Sequence, residues 1–443
     1  MTAFDLNRGA IAPVADEVDL VDLHVTGAIP PGLDGTLLRN GPNPPGGRFE
    51  GNDMLSWWPE AAMLHAIAFE NGRAAGYRNR WARTRRWAAV HAPAQVPHLP
   101  DTNPNVSVLQ HAGELLALSD GGAPFAITAA LDSLGAPARH AGFDGAMAAH
   151  PKLDPSTGEL IAFQADWRAP RLRYGVADAH GVQRVDLAID LPAPSMMHDL
   201  AITETRSLVL DLNVGYDFSL LKQGHRMPLR WHDERDARIG VLPRHGGDVR
   251  WFGVEPCFIL HVVNAYDCDA ECVVLDAVRY PSFLRLDART GRFADNPVGE
   301  LWRYVIDTAN GLVDEGPLAD GGIELPRINE RRTGRRYRYL YAAEQPNGAE
   351  MRGVMRFDHA NGTTTRYAVP PGDQNGEPVF VPRPGGIDED DGWLLVMVYR
   401  AATDTSDVVI LDARAIDAGP LATVHLPRRV PAGFHGAWVP RER

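Results

Sequence analysis

The sequence predicts an all-β chain, a seven-bladed β-propeller, and three observations point there. Glycine (43) and proline (35) are frequent in the 443 residues and are spread along the chain rather than pooled in one linker. Helical periodicity is scarce, which leaves short strands joined by turns. A unit of apolar strand, Asp and Gly-closed turn also recurs. It reads LDPSTGEL at residues 153–160, FLRLDARTG at 283–291 and VMRFDHANG at 354–362, with a looser copy, VVILDARAIDAG, at 408–419.

Each part of the unit has a physical reason. An Asp at the turn start bonds backbone N–H groups ahead of it, and Gly accepts the positive φ that closes a hairpin. Hairpins of this kind occur in other β-proteins too, so length decides. At about 60 residues per four-stranded blade with its loops, the chain holds about seven blades. The runs 393–399 and 407–411 fit paired outer strands of one blade. No Pro/Ser-rich linker divides the sequence, so residues 1–443 are expected to form one domain. Residues 83–104, with Trp87, His91, Pro93, Pro97, His98 and Pro100, read as a long loop on one face.

Composition narrows the function. Hydrophobic residues make up 44% and charged residues 23%, which suits a soluble globular protein with a sizeable core. A net charge of −13 without a basic stripe excludes nucleic acid as the main partner and disfavours polybasic docking on anionic lipid. Lys152 and Lys222 are the only lysines, which leaves little room for Schiff-base chemistry. Cys257, Cys268 and Cys272 are an odd number in a long chain and do not read as a disulfide scaffold, so a cytoplasmic setting is expected. Residues 1–20 carry four acidic groups and no apolar run, unlike a signal peptide, and no stretch is apolar for long enough to span a bilayer. Membrane contact, if made, is peripheral.

Most of the sixteen histidines need no special role. His111, His180, His225, His245 and His359 lie beside Gly, Asp or Gln and read as solvated. His150, His198, His261 and His435 keep different company. His150 follows three alanines and a methionine, His198 follows Met196 and Met197, His261 ends the run 257–260, and His435 sits in GFHGAW. Neutral imidazoles among small or apolar neighbours suit a buried metal site, and ligands scattered over distant strands suit a propeller axis. Merely structural histidines are the other reading. No HExxH motif is present, and Cys268-x3-Cys272 lacks a second pair at zinc-finger spacing. Glu324, Glu377 and Asp120 also occupy apolar strand contexts. A carboxylate there needs a partner, which is either the free N–H of a metal-bound imidazole or an arginine such as Arg327 or Arg383.

Taken in order, GTLLRNGPNP (35–44), YRNRWART (77–84), HPKLDPSTGEL (150–160), SMMHDLAIT (195–203), VEPCFILHVVNAYD (254–267), ELPRI (324–328), EPVFVPR (377–383) and FHGAW (434–438) resemble the carotenoid cleavage oxygenases. That non-haem iron group includes apocarotenoid oxygenases, lignostilbene dioxygenases and the retinoid isomerase of the visual cycle. The resemblance spans nearly the whole chain. It implies a seven-bladed propeller with loops and short helices capping one face, and Fe(2+) on the axis held by His150, His198, His261 and His435. It makes Glu324 and Glu377 two of three supporting carboxylates. The third departs from the pattern, because Asp120 stands where relatives usually carry Glu.

The implied reaction uses O2 to split a conjugated C=C bond into two carbonyl products, with no organic cofactor. Its substrate is a small, apolar conjugated alkene. Trp57, Trp58, Trp81, Trp87, Phe125, Phe218 and Phe258 are candidate tunnel walls, with ordinary core as the other reading. Relatives that cleave phenolic stilbenes or propenyl phenols carry a Tyr in a loop reading like YRNPF and a Lys just before the supporting Glu. Here the matching loop, 87–104, has no Tyr, and the Lys position is Ser119, which favours a carotenoid or apocarotenoid over a phenol. Isomerisation without O2 and a non-catalytic binding platform remain the competing functions.

Overall fold

The protein is described by a computed structural model covering residues 5–51, 54–140, 143, 147–287, 293–294, 297–348 and 350–441. Antiparallel strands dominate, and the helices are short. The chain falls into two compact units, one of residues 1–146, 352–356 and 365–443, the other of residues 147–351 and 357–364. Among the described residues no sheet closes on itself.

The first unit holds two five-stranded sheets and one of four strands. Both five-stranded sheets join the ends of the sequence. Strand Gly436–Pro440 pairs with Gly35–Pro42, from Gly35 opposite Pro440 to Arg39 opposite Gly436. Strand His24–Gly27 pairs with Pro420–Leu426. The pairing expected for runs 393–399 and 407–411 is present, with Leu394 opposite Leu411 and Val398 opposite Asp407. Trp393, Tyr77 and Phe69 lead one core of this unit, and Leu38, Leu64 and Phe125 belong to another.

In the second unit, four-stranded meanders run from Lys152–Leu153 to Gln183–Asp190 and from Ala201–Ile202 to Arg250–Gly253. Phe258–Asp269, Cys272–Tyr280, Glu300–Asp307, Leu312–Arg327 and Tyr339–Glu344 are consecutive strands of a larger sheet. Burial falls across the first meander. Leu160–Asp166 is buried almost throughout, whereas Gln183–Asp190 alternates between exposed and half-buried positions along most of its length. An outer strand is covered on one face only, and its Arg184, Asp186 and Asp190 leave the open edge charged, which discourages edge-to-edge pairing.

The recurrent turns behave as the sequence predicts. Leu153 pairs with Leu160, Asp154 accepts the Ser156 N–H at 2.8 Å, and Gly158 has φ +71°. Asp358 accepts the Ala360 N–H at 2.9 Å ahead of Gly362 at φ +67°, and Asp412 accepts the Arg414 N–H at 3.0 Å ahead of Gly419 at φ +84°. The closing glycine of the copy at 283–291 lies outside the described residues.

Three expectations change. Residues 83–104 are not an open loop, because Arg85–His91 is α-helical and Pro93–His98 forms a 3-10 turn, with the Arg83 guanidinium 4.2 Å over the Trp87 ring. Cys268 and Cys272 form a disulfide across the hairpin joining Phe258–Asp269 to Cys272–Tyr280. His111 and His359 are not solvated. His111 is 5% exposed and shares a 2.8 Å hydrogen bond with His140, whose other ring nitrogen meets Glu114. His359 is half-buried between Tyr337 and Phe357. No helix among the described residues is long and apolar enough to cross a membrane.

Candidate metal centre

Three of the four singled-out histidines converge in the second unit. His150 lies just before Lys152–Leu153 and makes a parallel bridge with Asp199. His198 lies just before Ala201–Ile202, and His261 is in strand Phe258–Asp269. The ring centroids of His150 and His198 are 4.5 Å apart, those of His150 and His261 5.1 Å, and those of His198 and His261 5.2 Å. Each pair meets edge to face, as rings do when aimed at a common point rather than stacked.

The Nε2 atoms of His150 and His198 are 3.1 Å apart. Two nitrogens each about 2.1 Å from one ion, at about a right angle, stand about 3 Å apart. The spacing therefore fits a shared metal.

Carboxylates set the proton positions. Glu324 Oε2 meets His261 Nδ1 at 2.5 Å and accepts the Leu325 N–H at 2.5 Å, while its Oε1 accepts the Tyr280 hydroxyl at 2.9 Å. In the first unit Glu377 Oε1 meets His435 Nδ1 at 2.9 Å, and Oε2 accepts the Gly436 N–H at 2.7 Å. An ionised carboxylate only accepts, so both Nδ1 atoms carry the proton and both Nε2 atoms present a lone pair. Both glutamates are 2% exposed. Burial pushes the Glu324 carboxyl up, but the His261 ring and the donors around it outweigh burial and leave it below the ordinary range. Burial and the Glu324 charge drive the Tyr280 hydroxyl the other way, so it stays a donor.

The strands carrying these groups are irregular at the groups themselves. Phe258–Asp269 shifts register between Ile259 and His261 and again between Val262 and Asn264. Leu312–Arg327 shifts between Glu324 and Arg327, where Leu325 takes φ +52° and Pro326 supplies no N–H. Gln374–Pro382 shifts between Asn375 and Pro378, around Glu377. An extra residue re-aims a side chain out of the pleat, which is how one strand turns a ligand or its support toward a site. The left-handed Leu325 costs on the order of 1 kcal/mol or more, and such strain persists only where surrounding contacts hold it. Here the short Leu325 N–H bond to Glu324 holds it.

His435 is fixed by its backbone as well. Its N–H donates to Val106 O at 3.2 Å, and its carbonyl accepts from Asn40 N at 3.0 Å. The Trp57 ring packs 4.8 Å from Phe434 beside it. Arg39 is 5% exposed and donates to Gly433 O. Burial lowers its pKa to about 10 even though the nearby Glu377 charge opposes this. A Cβ on Gly376 would meet the Arg39 guanidinium at 2.2 Å, so a larger residue there would push this side chain aside.

Glu324 and Glu377 thus each lie against an imidazole, and the carboxylate partners of Arg327 and Arg383 include Glu330 and Asp391. Asp120 is half-buried two residues past the strand Glu114–Leu118. Among the candidate tunnel walls, Trp81 and Phe125 are packed core, and Phe258 is 2% exposed and stacked on Phe283. Phe218 is 41% exposed. Sequence reading passed over Asp199, Lys152 and Tyr280. Asp199 was the findable one, since it directly follows a candidate ligand in an apolar stretch.

Known proteins resemble this chain over nearly its whole length. The family described as Retinal pigment epithelial membrane protein matches residues 11–440. The Carotenoid cleavage oxygenase of Mycobacterium tuberculosis is 36% identical over 98% of this chain and 97% of that protein. The Apocarotenoid-15,15'-oxygenase of Synechocystis is 29% identical over 94% of this chain and 92% of its own. Among solved structures, the lignostilbene dioxygenase of Pseudomonas brassicacearum superposes with a TM-score of 0.88 at 26% identity, covering 98% of both chains. Cobalt-substituted Synechocystis ACO does so at 0.85 and 27%, covering 97% of both. The chain belongs to the Retinal pigment epithelial membrane protein family, that of the carotenoid cleavage oxygenases.

Proposed function

We propose that this protein is an Fe(II)-dependent oxygenase that uses O2 to cleave a conjugated C=C bond of a carotenoid or apocarotenoid into two carbonyl products. In this reading residues 1–443 form one seven-bladed propeller domain, and His150, His198, His261 and His435 hold one ferrous ion. The observation that carries it is the convergence of three imidazoles whose spacing suits a shared ion, with a buried carboxylate on Nδ1 of His261. His435, which carries the same carboxylate device through Glu377, is the proposed fourth ligand.

Four neutral imidazoles leave the ion its full charge and suit a nitrogen-preferring divalent metal. Bound there, Fe(II) supplies the activation of O2 beside the alkene. The chain's own residues do the rest. Glu324 and Glu377 keep His261 and His435 in the tautomer that offers Nε2, and Tyr280 keeps Glu324 ionised and oriented. Asp120 is the proposed third support, for a remaining histidine, one methylene shorter than Glu. Buried side chains around the site exclude water from a reacting polyene.

Substrate class follows from what would contact a phenol. Ser119 and the tyrosine-free segment 87–104 offer neither of the two polar anchors expected for a phenolic stilbene or propenyl phenol. A hydrocarbon-like polyene is therefore preferred. The second reading, cleavage of a phenolic stilbene, is favoured by the close superposition on a lignostilbene dioxygenase. We propose at most peripheral contact with membrane; the cytoplasmic setting expected from the cysteine count loses that support with the Cys268–Cys272 disulfide.

Metal analysis of protein expressed with iron tests the site. About one iron per chain is expected, with loss in His261→Ala, whereas metal-free protein of unchanged melting would leave a binding platform instead. An aerobic panel of apocarotenoids, stilbenes and isoeugenol, with oxygen uptake recorded, separates the substrate readings from isomerisation.

A further inference from the structure

Asp199 takes no part in the chemistry above, yet it touches all three histidine segments of the second unit. It is 1% exposed. Its Oδ1 accepts the Leu200 N–H at 2.7 Å and lies 2.6 Å from Lys152 Nζ, and its Oδ2 accepts the Val262 N–H at 2.8 Å. Its backbone bridges to His150. Lys152 is two residues beyond His150, Asp199 is the neighbour of His198, and Val262 is the neighbour of His261. One carboxylate therefore joins segments that are 48 and 63 residues apart in sequence.

The chemistry is specific. A buried carboxylate is costly unless it is paired and hydrogen-bonded, and three donors, one of them a lysine ammonium, meet that need here. Lys152, one of only two lysines in the chain, has its head drawn in to 19% exposure to do so. The Val262 N–H lies in a strand whose register shifts on both sides of it, so ladder pairing alone does not fix its position. Filling space would need only an apolar residue. Fixing the angle and distance between three ligand segments needs a group that accepts from each side. A metal site tolerates about 0.5 Å of misplacement before its ligands fail to share the ion.

We infer that Asp199 is a positioning residue, whose carboxylate ties the segments bearing His150, His198 and His261 so that their rings converge before the metal arrives. This rests on the iron-site reading proposed above.

The test uses Asp199→Ala, Asp199→Asn and Lys152→Met in the full chain, with cobalt(II) chloride as the probe. In metal-free protein, amide exchange over residues 258–266 is expected to speed up in Asp199→Ala as Val262 loses its acceptor. Cobalt affinity, measured by chelator competition, should weaken about 10- to 100-fold, the range usual for groups that orient metal ligands, and the visible cobalt band should shift. Asp199→Asn keeps one acceptor oxygen and should recover part of both effects, and Lys152→Met should give a smaller loss. If the Ala variant does not fold, the other two carry the same measurements.

A variant that melts earlier but keeps cobalt affinity within about twofold, with unchanged exchange and band, would overturn the inference and leave Asp199 as ordinary structure. Wild-type protein that binds no cobalt would sink the iron reading instead. The exchange at Val262 would then still decide whether Asp199 holds these segments together.

Discussion

Glu324 and Glu377 share one task, to hold the Nδ1 proton of a histidine, and each also accepts a backbone N–H, Glu324 on the same oxygen and Glu377 on the other. Replacing either by Gln keeps the shape but removes the charge and puts an amide where only an acceptor fits. We expect Glu324→Gln and Glu377→Gln to weaken iron binding about 10- to 100-fold with little change in melting, checked by chelator competition. The two glutamates and four histidines stood out in the sequence because polar residues in apolar strands are conspicuous. Tyr280 did not, since its importance lies in a contact with Glu324, 44 positions away, and Asp199, findable beside His198, showed nothing locally of its bond to Val262, 63 positions away. His111 misled for the opposite reason. Its neighbours Gln110 and Gly113 look like a solvated turn, while its ring is buried by a partner, His140, that comes 29 residues later.

Histidines also set the acid limit. Burial, with a smaller contribution from Arg39, lowers His65 to about 3, and burial lowers His359 to about 4 despite the opposing Asp276 charge. Both are neutral when folded. Below the ordinary value near 6.5 the unfolded chain takes up protons that the folded chain refuses, so stability falls as pH drops from 6.5 toward 4. Between pH 7 and 5 the loss is about 2 kcal/mol for each group at 1.36 kcal/mol per unit. Denaturant titrations at the two pH values check it, and His65→Gln should remove about half. Asp154 behaves oppositely. Burial raises its carboxyl, but the Ser156 and Arg244 bonds outweigh burial and hold it well below 3.8, so its stabilisation is intact above that pH and disappears below it.

At the scale of the element, the strand–Asp–Gly unit shows why hairpins were readable. Each Asp bonds the N–H two residues on, and each Gly sits where φ is positive, so the turn is fixed within a few residues. Gly158 and Gly362 differ in one respect. A Cβ at Gly158 would lie 2.9 Å from the Ala179 Cβ, whereas at Gly362 it would meet open space. Gly362→Ala should therefore cost only the backbone strain, about 1–2 kcal/mol, and Gly158→Ala should cost more, as urea titrations would show. The register shifts at His261, Glu324 and Glu377 were not legible, because a bulge is one extra residue with no side-chain signature of its own. Nor was the helix Arg85–His91, whose single turn or two are bounded by Pro93 and carry no apolar stripe beyond Ala88 and Trp87.

For the whole molecule, composition and turn spacing gave the all-β class, and the ordered motifs gave the family, which comparison over residues 11–440 bears out. Blade number came from length and resemblance alone, and it stays part of the proposal. Substrate choice was the least legible feature, since it rests on Ser119 and a segment whose helical turns the sequence did not reveal. The central claim is that an iron site of four histidines splits a conjugated alkene with O2. The most direct measurement is product identification by mass after iron-loaded protein meets an apocarotenal in air. We predict two shorter carbonyl fragments and matching oxygen uptake. An intact apocarotenal, with isoeugenol or a stilbene cleaved in its place, would contradict the substrate assignment, and no cleavage of any of them would contradict the oxygenase itself.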